Sequence, residues 1–134
     1  MKSYLAVLRN YAGFNGRARR REFWMFVLLN ALFSSLFITL DSFLGMSYSI
    51  PTGYEGVFIK YGYLQIAYGL LIFIPSLAVA VRRLHDIGKS GWMLFLVLIP
   101  IVGWILLIIL HLQDSQPGAN QYGPNPKEEL VHAK

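Results

Sequence analysis

The sequence predicts an all-α integral membrane protein, a small bundle of three transmembrane helices forming one domain over residues 1–134. Three observations carry that expectation. Only 14% of the 134 residues are charged while 55% are hydrophobic; three long stretches carry no charge; and the cations gather in the segments beside them. A soluble domain carries about a quarter charged residues, so this chain has too little charged surface to cover a globule. The mean hydropathy of +0.48 points the same way.

Residues 1–22 form a basic segment in which Lys2, Arg9, Arg17, Arg19, Arg20 and Arg21 stand against Glu22. The first expected span, residues 23–44, opens with an uncharged run from Phe23 to Leu40. As a helix that run is about 27 Å long, close to the roughly 30 Å hydrocarbon core of a bilayer. A cleaved signal peptide is a poor fit despite the small residues of Gly45-Met46-Ser47, because the leading polar segment and the apolar run are both too long.

The second expected span covers residues 61–81 and contains Pro75, which predicts a bend beside Ser76. The third covers residues 92–112 and contains Pro100 and Gly103 at its middle. A kinked single span is the expected form. A re-entrant hairpin is the alternative, with an apex that leaves backbone groups unpaired in lipid unless protein covers them. All three runs are apolar on every face, unlike the striped core helix of a soluble protein.

Charge sets the expected threading. Residues 1–22 net +5 and the loop 82–91, holding Arg82, Arg83 and Lys89 against Asp86, nets +2; residues 41–62 net −1. Cytoplasmic loops carry excess Lys and Arg, so the N-terminus and the 82–91 loop are expected in the cytoplasm, and the 41–62 connection outside. Trp24 and Trp92 then sit as anchors at the inner interface, with Tyr48, Tyr54, Tyr61 and Tyr63 at the outer one. Three full spans would put the polar Gly, Pro and Asn tail, residues 113–134, on the far side with His111.

Two dense motifs remain. Arg17, Arg19, Arg20 and Arg21 hold their end of the first helix inside and offer a surface to anionic headgroups, at about 1 kcal/mol per basic residue. The cluster is short and lacks a reading motif, so nucleic acid is not an expected partner. The run Arg82-Arg83-Leu84-His85-Asp86-Ile87-Gly88-Lys89-Ser90-Gly91-Trp92 ends like a phosphate-binding loop, yet Arg83 stands where the leading glycine is needed. His85 and Asp86 form a dyad without the further ligands a metal requires, so a structural role for Asp86, pairing with an arginine or accepting backbone amides, is the better reading. Glu22, at the depth of Arg82 and Arg83, is expected to form an ion pair with them. Asp41 is expected to reach water, and Asn30 and Gln65 to bond between helices. The complete absence of cysteine excludes disulfides, thiolate catalysis and cysteine-ligated metals, and no cofactor is implied.

These motifs together resemble one family. Gly16, Arg17, Arg20, Arg21, Phe23 and Trp24 precede the first span; Pro75 and Arg82 to Asp86 end the second. Gly88, Ser90, Gly91 and Trp92 follow, then Ile99 to Gly103, and finally Asn120 to Pro126. The pattern is similar to that of the bacterial inner-membrane family called domain of unknown function 805, the YhaH/YhaI-like proteins. The resemblance implies a small integral inner-membrane protein and supplies no reaction, ligand or catalytic residue.

The function expected is non-enzymatic. The basic face of Arg17 to Arg21 and Arg82 to Lys89 would engage anionic membrane lipid or an acidic partner, with self-association or another inner-membrane protein completing the small bundle. Gly69, Ser76, Ala78 and Ala80 offer close-packing positions. Two alternatives stand beside it. One is an oligomeric channel or transporter lined by Asn30, Ser34 or Gln65; the other is a lipid-processing enzyme using His85 and Asp86.

Overall fold

The computed structural model describes residues 2–128. The chain divides into two compact units, Met1–Phe26 with Ile74–Lys134, and Val27–Phe73. Two helices are long and apolar enough to cross a membrane, α2 (Arg20–Phe43) and α3 (Tyr63–Asp86). Only 6% and 22% of their apolar windows are buried inside the protein. The core helix of a soluble protein would be mostly buried, so these surfaces fit lipid contact.

The first unit opens with α1 (Lys2–Arg9), whose Val7 is fully buried while Tyr4 stacks on Phe26 at 5.4 Å. A loop then turns through Gly16, at a φ of 86°, and buried Ala18 donates its N–H to the Arg82 carbonyl. α3 runs through Pro75 and stops at a Schellman motif. Gly88 takes the left-handed conformation (φ 73°), its N–H bonds to the His85 carbonyl, and the Lys89 N–H bonds to that of Leu84. This is the glycine-dependent way to satisfy the last carbonyls of a helix, and it explains Gly88 in the motif.

Residues 92–112 do not form the expected kinked span. A 3₁₀ helix, Gly91–Leu98, capped by the Ser90 hydroxyl, is followed by a turn and by α4 (Val102–Leu112). The chain folds back on itself: the Trp104 indole donates to the Val97 carbonyl at 2.9 Å, and a Cβ on Gly103 would overlap the Leu96 carbonyl. Each arm is about 16 Å long. The turn meets the objection to such an apex locally. The N–H groups of Ile99, Val102 and Gly103 bond to the carbonyls of Leu96, Pro100 and Ile99, and Pro100 has no N–H to satisfy. The strain falls on Ile101, a β-branched residue at a φ of 65°.

The second unit contains a hairpin where the sequence predicts only a connection. Strands β1 (Ser47–Pro51) and β2 (Phe58–Gly62) form an antiparallel hairpin with Ser47 opposite Gly62 and Pro51 opposite Phe58. Tyr48 stacks on Tyr61 across the pair at 5.7 Å. Asp41 does not reach water: it is 1% exposed and accepts the Leu64 and Gln65 N–H groups at 3.0 and 2.9 Å. A carboxylate from α2 thereby caps the first turn of α3, where free N–H groups and the helix dipole favour negative charge. In the same unit Tyr68 donates to Asn30 and Gln65 to Ser34.

Candidate functional site

The motif residues of the first unit converge on Asp86, the last residue of α3, which is fully buried. One carboxylate oxygen accepts Arg17 Nε at 3.0 Å; the other accepts Arg83 Nη1 at 2.5 Å and the Ser115 hydroxyl at 2.6 Å. The guanidinium of Arg17 also donates to the carbonyls of Gly118 at 2.7 Å and Gln116 at 2.6 Å, and more loosely to those of Gly123 and Asp86. Arg83 donates to the carbonyls of His111 and Gln113. Two buried cations share one buried anion, and carbonyl dipoles from the returning chain supply the rest of the negative potential.

The tail is therefore docked. Arg17 draws the carbonyls of residues 116–123 inward, and Asn120 and Gly123 close a reciprocal pair of backbone bonds at 3.0 Å. Tyr122 lies flat on the His85 ring, with centroids 3.7 Å apart and planes within 2°. Asn120 donates to the His85 carbonyl, and His85 Nδ1 lies 3.3 Å from the Gly16 carbonyl. On the exposed side Lys127 pairs with Asp114. That hydrogen bond, followed by one from the Ser115 N–H, holds the Asp114 carboxyl below its usual range.

Two expectations change here. Arg83 pairs with Asp86 and not with Glu22, and no ion pair to Glu22 within 4 Å occurs among the described residues. The reason is proximity: Asp86 lies three residues along the same helix, where side chains share a face. Arg82 is also buried, donating Nε to the Ala78 carbonyl, and it interacts with Glu22 through charge. Secondly, His111, expected far from the 82–91 motif, stands beside Arg83. Its ring packs on Phe23 at 4.4 Å and its carbonyl accepts both Arg83 and the Trp24 indole. The fold-back of residues 91–112 returns it to the clamp.

The motif cations thus separate into two groups. Arg17, Arg82 and Arg83 are buried; Arg20, Arg21 and Lys89 are exposed, and Arg19 is half-buried. Trp92 is 76% exposed and stacks on Phe95. Among the described residues no three His, Asp or Glu side chains stand where they could hold a metal ion.

Beside the clamp lies a cleft of about 650 Å³. One wall is a single face of α3, Leu77, Val81 and His85; the opposite wall is the 3₁₀ arm, chiefly Leu94, Phe95 and Leu98. Phe14 and the docked Tyr122 also line it. Sequence reasoning missed this cleft, and it missed Ser115 and Gln116 as clamp residues. The only signal for them was the density of turn formers that follows.

Exposed apolar helices, an apolar segment folded back on itself and a basic clamp at one end define a small helical membrane protein. The chain belongs to the DUF805 family of proteins of unknown function, whose model matches residues 11–124. It is 46% identical over 129 residues to the inner membrane protein YhaH of Escherichia coli (strain K12), covering 96% of this chain and 99% of that protein. It is 40% identical over 127 residues to inner membrane protein YhaI of the same organism, covering 95% and 97%. No solved structure matches.

Proposed function

We propose that this chain is a non-enzymatic membrane accessory protein whose cytoplasmic face recruits anionic lipid. In this reading α2 and α3 cross the inner membrane, and residues 91–112 re-enter from the cytoplasmic side to about half its depth. The N-terminus, the 82–91 loop and the tail then share the cytoplasm, with the β-hairpin outside. The excess of Lys and Arg in residues 1–22 and 82–91 supports that orientation.

The observation that carries the reading is the division among the cations. Asp86 is consumed by Arg17 and Arg83 inside the protein, so the charge left at the surface by Arg20, Arg21 and Lys89 is positive and available to headgroups. The same geometry favours a structural role for Asp86 over that of a catalytic base, because both its oxygens already accept strong donors.

The test is boundary-lipid selectivity in bilayers of phosphatidylcholine and phosphatidylglycerol, read with spin-labelled lipids. The natural chain should enrich phosphatidylglycerol, and Arg21→Ala with Lys89→Ala should lower that enrichment about fivefold per residue removed. Unchanged selectivity in the double variant would overturn the reading.

A further inference from the structure

We propose that the cleft between α3 and the 3₁₀ arm is a site for one acyl chain of an anionic phospholipid, with the headgroup held at Lys89 and Ser90. The inference rests on the lipid-recruiting reading above and deepens it, from a charged surface to a defined binding site.

The first argument is the polarity gradient. Leu77 and Val81 sit four residues apart on α3 and line the cleft together with Phe95 and Leu98, all within segments apolar enough for the hydrocarbon layer. The polar groups that line the cleft, His85, Ser90 and Tyr122, lie toward the motif end. An amphiphile with a long apolar tail and a polar head matches that order, whereas a water-soluble metabolite would leave its polar groups unpaired among leucines. The volume is within the roughly 300–1,000 Å³ range of small-molecule sites.

The second argument is that the cleft is shaped by specific residues. Gly91 lets the start of the 3₁₀ arm approach α3, since a Cβ there would press to 2.8 Å on Val81. Gly103 lets the two arms of the fold-back close. Beside His85, the Tyr122 ring that lines the cleft is fixed by the flat stack on His85 and by the Asn120 bonds next to it. The wall depends on the docked tail, which itself depends on Arg17.

The third argument is charge. The loop at the head of the cleft holds one acid, Asp86, and that acid is neutralised internally. Lys89, adjacent to the lining residue Ser90, is exposed. A phosphate-bearing anionic head therefore meets an uncompensated cation and the Ser90 hydroxyl.

The experiment uses the full natural chain in bilayer nanodiscs and a phosphatidylglycerol carrying a diazirine on its acyl chain. After photolysis, labelled residues are mapped by mass spectrometry. Labelling should concentrate on Leu77, Val81, Phe95 and Leu98, about fivefold or more above the exposed lipid-facing positions Leu28 and Leu32 of α2; a phosphatidylcholine probe with the same chain should label the cleft about fivefold less. Even labelling of cleft and α2 overturns the site, and it is also the result if a helix of a second copy or another protein fills the cleft. Equal cleft labelling by both probes overturns the anionic head. The two readings fail separately. Normal boundary selectivity without cleft labelling sinks only this inference, and unchanged selectivity in the Arg21 and Lys89 double variant together with concentrated cleft labelling sinks only the surface reading.

Discussion

Arg17 and Asp86 meet at 3.0 Å across 69 positions of sequence, both with side chains almost wholly excluded from solvent. This contact joins the segment before α2 to the end of α3. Arg17 also holds the tail, so one guanidinium ties three separate stretches of chain. Its planar fork is suited to the task, because it presents several donors in fixed directions where an ammonium offers a single point charge.

The first prediction concerns that fork. Asp86→Asn strands two buried arginines and should lower stability by about 3–5 kcal/mol, read as the unfolding midpoint in detergent micelles. Arg17→Lys should also lower the midpoint, although it keeps the charge, because one ammonium cannot reach Asp86, Gln116 and Gly118 together. If Arg17→Lys behaved like the natural protein, charge alone would be sufficient and the fork argument would fall.

The second prediction concerns the α3 cap. Asp41→Ala removes the acceptor for Leu64 and Gln65 and should cost about 1–2 kcal/mol. Gly62→Ala should cost at least as much, since the new methyl would occupy the space of the Asp41 carboxylate. Faster amide exchange at residues 64 and 65 in both variants is the specific readout; unaltered exchange there would show that the cap is dispensable.

The third prediction is a contrast. The side chains of Lys127 and Asp114 are 46% and 63% exposed, so solvent screens their pairing. The depressed Asp114 value means that any stabilisation is present above the unfolded carboxylate pKa of about 3.9 and fades as pH falls through the lower folded value. Lys127→Ala should therefore leave the unfolding midpoint at neutral pH unchanged within error. A loss approaching that of Asp86→Asn would show that the exposed pair, and not the buried clamp, holds the tail.

The two long helices were legible because uncharged runs and flanking cations are local signals. The β-hairpin was not, although Tyr48 and Ile50 alternate with serines and Gly53 and Gly56 both take positive φ; the stretch is short and lies between stronger helical signals. Of the Glu22 expectation only the charge interaction with Arg82 remains, because Arg83 is taken by Asp86 on its own helix. Asp41 was read as solvated because its cap is completed by residues more than twenty positions away. The membership of Arg82, Arg83 and Asp86 in one motif was visible, but the separation of buried from surface cations was set by the tail, whose docking no periodicity announces.

The fold-back of residues 91–112 is the largest departure from the expected architecture, and it leads to the last prediction. Pro100 and Gly103 are compatible with a kink or a reversal, and the reversal is held by distant partners, Arg83 taking the carbonyls of His111 and Gln113. The absence of native cysteine allows single introduced thiols to report each segment's side. In intact spheroplasts a membrane-impermeant maleimide should label Glu55→Cys directly, and Asn10→Cys and Gln121→Cys only after permeabilisation. Outside labelling of Gln121→Cys in the otherwise natural chain would support the three-span threading instead. Adding Gly103→Leu, which places bulk on the Leu96 carbonyl, should open the fold-back and loosen the tail, so that Gln121→Cys reacts faster in permeabilised cells. If the substitution left that rate unchanged, the close approach at Gly103 would not be what holds the two arms together.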